Sequence, residues 1–448
     1  MHPLSGLKIA LLCVLALVPA AGAATRPNIL LILADDLGLE GLGCYGGLDY
    51  RTPRLDRLAA TGARFTHAFA QPLCTPTRLQ LMTGKYNHRN WVAFGLMDPK
   101  EKTIGHFMRD AGYRTCIAGK WQFWSYDPPD YPGAAERRGR GMRIEDAGFD
   151  AYSVWHAFHT EAKGSRYADP TVYQNGEFLR NTAGKYGEDI WIDFISDYLD
   201  RNRDHPVFAY YPMALPHWPM VPTPASADWR DPAQRLVEAT RHFKDMVEYM
   251  DTAVGRLLAR LDALKLRENT VVLFYSDNGT DLRITSRTRQ GVVKGGKGLT
   301  TANGINVPLI ANWPGRIPGG VVLPDLVDST DFLPTIAELA GTALPGDWGA
   351  DGVSFAPRLL GQPGKPREWA FFWHDPRPGW DKENRTRQIF ALDHRFKFYS
   401  DGRFFDVVED AAETAPLLQD KLSPAQRAGR ARLEQVIARQ LEAYPHRR

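Results

Sequence analysis

At 448 residues with 44% hydrophobic content, the chain can bury a large core, which excludes a disordered protein and sets two or three domains as a soft expectation from length. A formal charge of only +3 excludes an electrostatic case for nucleic acid or an anionic membrane surface as partner.

Residues 1–23 carry His2 and Lys8, an apolar run over 9–18, then Pro19 and Ala21-Gly22-Ala23. This is the pattern of a cleaved secretory signal peptide and predicts a periplasmic or secreted protein. No later segment approaches the roughly 18 to 20 apolar residues that span a bilayer, so no membrane span is expected. Beyond the leader stand Cys44, Cys74 and Cys116, an odd number, so one is left over in any pairing. Cys44 and Cys116 either pair or stay as buried thiols.

The apolar run Asn28–Ala34 reads as a strand covered on both faces, and it delivers Asp35-Asp36 to its carboxyl end, where open α/β sheets place their ligands. Thr52-Pro53 opens a helix that Gly62 stops, and a short strand over 64–70 feeds Cys74-Thr75-Pro76-Thr77-Arg78-Leu79-Gln80-Leu81-Met82-Thr83-Gly84. Pro76 fits a first helical turn and Gly84 a helix stop. Cys74 would therefore face unpaired N–H groups at the positive end of a helix dipole, a place that stabilises an anion.

A helix over 103–112 and a strand over 114–121 follow, the latter ending in Gly119-Lys120-Trp121-Gln122. Periodicity is lost from 125 to 186, the mark of surface loops that shape a site, and the arginine-rich run 137–141 reads as a solvated loop. Regular structure resumes with a helix over 188–201, a strand over 207–213 leading to Pro216-His217-Trp218-Pro219, a long helix over 232–264, and a strand over 270–275 that delivers Asp277-Asn278. Gly291 to Lys297 nearly spells a phosphate-cradling loop but has Gly298 where Ser or Thr should hold magnesium. A strand over 307–313 precedes a helix over 329–339 capped by Ser329. After a Gly/Pro-rich link, short aromatic strands at 369–374, 387–390, 396–400 and 403–407 and a helix over 423–444 close the chain.

Strand alternating with helix predicts an α/β protein with a large, mostly parallel (mixed) sheet flanked by helices, and the C-terminal pattern adds a smaller antiparallel sheet plus helix. The expected division is a leader over 1–23, a catalytic α/β domain over 24–343 and an α+β subdomain over 344–448. Asp35, Asp36, Asp277 and Asn278 are hard oxygen donors at strand ends; they suit Ca²⁺ or Mg²⁺ and not zinc.

C-x-P-x-R followed by an apolar run to Thr-Gly resembles the signature of the sulfatase family, on the alkaline-phosphatase-like fold. The resemblance implies that Cys74 is converted to formylglycine by a formylglycine-generating enzyme. It also implies that Asp35, Asp36, Asp277 and Asn278 bind one divalent cation, usually Ca²⁺, which the converted Cys74 faces. Arg78 and Lys120 would orient the nucleophile, and His217 and Lys297 would hold sulfate oxygens, one of them protonating the leaving alcohol. Two departures stand out. Gln122 follows Gly119-Lys120-Trp121 where the family usually has histidine, so a proton shuttle is replaced by a hydrogen-bonding amide. Ala302-Asn303-Gly304 replaces the usual E-G-G. Gln122 and His88 are expected to line the substrate cleft.

The expected activity is therefore hydrolysis of a sulfated small molecule or glycan. The alternatives are a phosphodiesterase or phosphonate monoester hydrolase on the same fold, or a non-catalytic carbohydrate-binding relative.

Overall fold

The computed structural model describes residues 26–124, 127–157 and 163–445; the leader expected over 1–23 lies outside the described residues. Among the described residues sixteen strands occur in chain order: β1 (Asn28–Ala34), β2 (Ala63–Phe69), β3 (Arg114–Lys120), β4 (Ala151–Trp155), β5 (Tyr173–Gln174), β6 (Glu177–Phe178), β7 (Val207–Pro212), β8 (Thr270–Ser276), β9 (Thr285–Thr288), β10 (Gly291–Lys294), β11 (Leu309–Asn312), β12 (Val321–Asp328), β13 (Ala370–His374), β14 (Gln388–Leu392), β15 (Phe396–Tyr399) and β16 (Phe404–Asp406).

Ten of these form one mixed sheet in the order β12-β2-β11-β8-β1-β7-β3-β4-β5-β6. The five central strands, β8, β1, β7, β3 and β4, run parallel, whereas β11 is antiparallel to both β8 and β2. Parallel strands share one carboxyl edge. The ends of β1, β8, β3 and β4, and the loop after β7, therefore open on the same side of the molecule.

Strand β1 is buried along its whole length because each face meets a separate core. Ile29, Leu31 and Leu33 belong to the core holding helices Cys74–Thr83 and Phe332–Leu339. Leu30, Ile32 and Ala34 belong to the core holding helices Gly187–Arg201 and His242–Ala263. Strict alternation sorts one continuous apolar run onto two faces.

The second sheet, β13-β14-β15-β16, is antiparallel and carries helix Pro424–Ala443, whose N-cap Ser423 forms a capping box with Gln426. Two buried polar joints fasten this sheet to the rest. Arg367 donates to Asp331 through Nε at 3.0 Å and through Nη2, and to the Tyr86 hydroxyl at 2.7 Å. Buried Lys397 pairs with Glu413 at 2.6 Å and donates to the Thr300 carbonyl, while the Tyr399 and Thr300 hydroxyls lie 2.8 Å apart.

The structure corrects the sequence reading at several places. The stretch 125–186 is not all loop: β4 lies inside it, pairs with β3 and carries the β5–β6 hairpin. Helix 232–264 begins ten residues later, at His242, since Leu236 and Val237, 54% and 43% exposed, find no core to enter. The cap of the helical segment near 330 is Asp328, which accepts from the Thr330 N–H while Asp331 accepts from the Asp328 N–H; Ser329 lies inside the turn. Strand β12 and the β9–β10 hairpin were not anticipated. Cys44 and Cys116 are both free thiols.

Replacing Arg367 with alanine strands the Asp331 carboxylate in the core, and unfolding by urea should show a loss of about 3–5 kcal/mol. The Arg367→Ala, Asp331→Ala double variant should lose clearly less than the two single losses combined; additivity would show that the pair is not coupled.

Candidate active site

Helix Cys74–Thr83 starts without a side-chain cap: Leu73 is extended and Cys74 is the first helical residue. All ten of its residues are buried, because the helix is packed under the carboxyl edge of the sheet and not laid on the surface. Thr77 ties it down, its hydroxyl accepting from the Gln71 N–H at 2.9 Å and donating to the Asp277 carbonyl at 2.6 Å. Gly84, in the left-handed region at φ 69°, ends it with an N–H bond to Gln80.

The strand ends converge on this helix. Asp35 and Asp36 follow β1 and Asp277 and Asn278 follow β8, all fully buried. The Asp36 N–H donates to Asp277 Oδ1 at 3.1 Å and Asn278 Nδ2 to Asp36 Oδ1 at 2.8 Å. One oxygen each of Asp35 and Asp277 and the Cys74 sulfur lie within 4.8 Å of one another, as do atoms of Asp35, Asp36 and His217. Asp35 Oδ1 and Asn278 Oδ1 are buried and accept no hydrogen bond among the described residues. Orphaned hard oxygens beside crowded carboxylates fit a hard divalent cation.

Four cations from separate parts of the chain neutralise this crowding. Arg78 donates from Nε to Asp277 Oδ2 at 2.9 Å, and its Nη2 stands in ion-pair contact 2.8 Å from the same oxygen and 3.4 Å from Asp35 Oδ1. Lys120, at the end of β3, donates to Asp35 at 2.8 Å. Lys297 donates to Asp36 at 2.6 Å and stands 2.9 Å from His217 Nε2. Arg166 Nη1 lies 3.0 Å from His217 Nδ1 and 3.9 Å from Asp35, its guanidinium stacked 4.0 Å over Trp155.

Protonation follows from this map. Burial alone would raise Asp35, but the positive groups around it, Lys120 foremost, together outweigh it and hold the carboxyl well below its usual value. Burial and the neighbouring Asp35 charge push Asp277 up to about 7. Burial, then Lys297, hold His217 well below its ordinary value, and the attraction of Asp35 does not reverse this. His217 is therefore a neutral imidazole beside a charged lysine.

Above this layer opens a cavity of about 1020 Å³ with Cys74, Lys120, Gln122, His217 and Lys297 at its base. Gln122 is held at φ 60° and is 2% exposed, and its Oε1 accepts no hydrogen bond among the described residues. Arg78, Asp35, Asp36, Asp277 and Asn278 do not line the cavity; they lie beneath its floor. His88 lies elsewhere. It is fully buried among Tyr86, Phe371 and Tyr444 and does not border the cavity, which corrects its expected place in the cleft.

Sequence reading missed three residues that shape the base. Arg166 sits in an aperiodic stretch and carries no local signal. Tyr167 donates to the Ala214 carbonyl at 2.7 Å and to that of His217. Glu188 accepts from the Ala214 and Leu215 N–H groups at 2.8 and 3.0 Å and from the Tyr211 hydroxyl. Together they clamp the loop that presents His217. Glu188 reads locally as an ordinary acidic first-turn residue.

The family model described as Sulfatase matches residues 27–342. Human arylsulfatase A is 32% identical over 405 residues, covering 84% of this chain and 75% of that protein. The dog N-acetylgalactosamine-6-sulfatase is 33% identical over 394 residues, covering 80% and 70%. The solved structure of Ps i-CgsB in complex with k-i-k-neocarrahexaose shares the fold at TM-score 0.73 and 24% identity, covering 94% of this chain and 93% of that one. This chain is a member of the sulfatase family and hydrolyses sulfuric esters.

Proposed function

We propose that the cavity over Cys74 is the hydrolytic site, matured by conversion of Cys74 to formylglycine and loaded with one divalent cation, Ca²⁺ in preference to Mg²⁺. The observation that carries this reading is the set of orphaned oxygens, Asp35 Oδ1 and Asn278 Oδ1, in a carboxylate cluster within reach of the first residue of a buried helix. Asp35, Asp36, Asp277 and Asn278 would hold the cation, which supplies Lewis-acid polarisation and a template for the sulfate. The converted Cys74 supplies a hydrated aldehyde as nucleophile.

The chain's own side chains do the rest. Arg78 fixes Asp277 and favours its ionised form against burial, and Lys120 pairs with the ionised Asp35. Lys297 and His217 face the sulfate with Nζ and Nε2 2.9 Å apart, so the charged lysine can share a proton with the neutral imidazole. Delivered to the departing alcohol oxygen, that proton neutralises the charge that develops as the S–O bond breaks. Gln122 offers an amide hydrogen bond but no proton. The substrate is a sulfated glycan or small molecule, met in the periplasm or outside the cell after export, with a formylglycine-generating enzyme as the maturation partner.

Mass spectrometry of the peptide spanning Cys74 in active protein from the native host should find formylglycine; unmodified cysteine alone in fully active protein would refute the conversion. Cys74→Ala should lower kcat on an aryl sulfate by on the order of 10³-fold or more. Asp277→Ala should weaken Ca²⁺ binding in calorimetry at least tenfold and reduce turnover to background. Full activity in that variant would overturn the ligand assignment.

A further inference from the structure

The cavity is larger and more cationic than one sulfate requires. Its volume of about 1020 Å³ reaches the upper end of sites that enclose drug-sized ligands. Seven Lys and Arg side chains against three carboxylates line it, in a chain whose net charge is only +3. Positive charge is therefore concentrated here, and clefts of one sign focus field on ligands of the other.

Most of these cations are already matched. Lys120 and Lys297 face Asp35 and Asp36. Arg283 is bound by Asp281 at 2.9 Å and Glu238 at 2.8 Å. Lys382 pairs with Asp381 and lies 4.7 Å over the Phe94 ring. Arg385 differs. Its recorded polar contact is a long hydrogen bond from Nη1 to the Gly298 carbonyl at 3.4 Å, and it forms no ion pair among the described residues. A guanidinium has five N–H donors, so most of those on the exposed Arg385 meet solvent at the cavity rim and are free to turn to a ligand.

Its position is set by the fold. Arg385 lies in the connection from β13 to β14, which also places Trp380 and Lys382 on the cavity wall. The guanidinium rests against Gly298, where an added Cβ would stand 3.0 Å from Nη1 and where φ is +81°; a side chain there would be strained, and Arg385 would have to shift by a few tenths of an ångström. Gly298 directly follows Lys297, so the donors of Arg385 stand beside the backbone of the sulfate-facing lysine. Trp380 and the 42% exposed Trp218 border the same space with flat apolar surfaces, suited to the C–H faces of a sugar ring.

We infer that Arg385 is the centre of a second anion subsite, which takes a sulfate or carboxylate carried by the leaving-group sugar in addition to the scissile ester. The substrate class is then a polyanionic sulfated saccharide, and Arg385 is a specificity determinant, not part of the bond-breaking machinery. This rests on the sulfuric ester hydrolase reading of the Cys74 cavity.

The test is competition against hydrolysis of 4-methylumbelliferyl sulfate by the matured, Ca²⁺-loaded enzyme. Three competitors are compared: a hexosamine with one sulfate, the same sugar with two sulfates, and a monosulfated disaccharide carrying a uronate. At least one dianionic competitor should bind about tenfold or more tightly than the monosulfate, and the better of the two identifies the anion as sulfate or carboxylate. Arg385→Ala should reduce that preference to threefold or less, with Arg385→Lys intermediate because it keeps charge without the planar fork. Equal inhibition by all three competitors in the unsubstituted enzyme, or a preference untouched by Arg385→Ala, overturns the subsite while leaving the sulfatase reading intact. No hydrolysis of 4-methylumbelliferyl sulfate or of any of the three sugars sinks the reading on which the subsite rests.

Discussion

Everything at the carboxyl edge of the sheet depends on keeping Asp35, Asp36 and Asp277 ionisable in the protein interior. A lone buried carboxylate costs several kcal/mol and escapes by taking up a proton. Three together repel as well, and the raised positions of Asp36 and Asp277 register that cost. The fold meets it by bringing cations from four remote places: Arg78 from a helix, Lys120 from a strand end, and Arg166 and Lys297 from loops. None of these is close in sequence to the strands bearing the acids, so the charge balance exists only once the sheet has assembled.

That dependence explains which parts of the site were legible in the sequence. Asp35 and Asp36 were readable because β1 is an uninterrupted apolar run ending in two acids. Cys74 was readable because Pro76 and Gly84 bracket its helix. Lys120 and Asp277 sit at the ends of strands that declare themselves by composition. Arg166 was invisible because its position comes from tertiary structure: a stretch without periodicity lays it on Trp155, and β4, which presents that tryptophan, is only five residues long with a serine at its centre. His88 misled in the opposite way. A histidine just after the Cys74 helix invites a functional reading, yet Phe371 of the C-terminal sheet and Tyr444 after the last helix close over it.

The fold was legible where one principle acted alone. Apolar runs covered on both faces gave the central strands, and Ser423 gave the start of the last helix. It was obscure where principles competed. The apolar spacing of Leu236 and Val237 suits a helix, but no core receives them, and the chain takes turns there until His242. Strand β12 hid because a proline at 324 interrupts it, in keeping with its place at the edge of the sheet and with the register shift between Leu323 and Leu326.

The joint between Lys397, Tyr399, Glu413 and Thr300 has a bearing on how such a protein can be recombined. Thr300 lies three residues from Lys297 on the same loop, so the C-terminal sheet braces the loop of a cavity-lining lysine while its β13–β14 connection walls the same cavity. The shape of the cavity wall and the placing of Lys297 are thereby linked in one block. A chimera that imports the terminal sheet of a relative to reshape the cavity inherits a new brace for Lys297 as well, and the residue facing Thr300 has to be grafted together with the loop that walls the cavity.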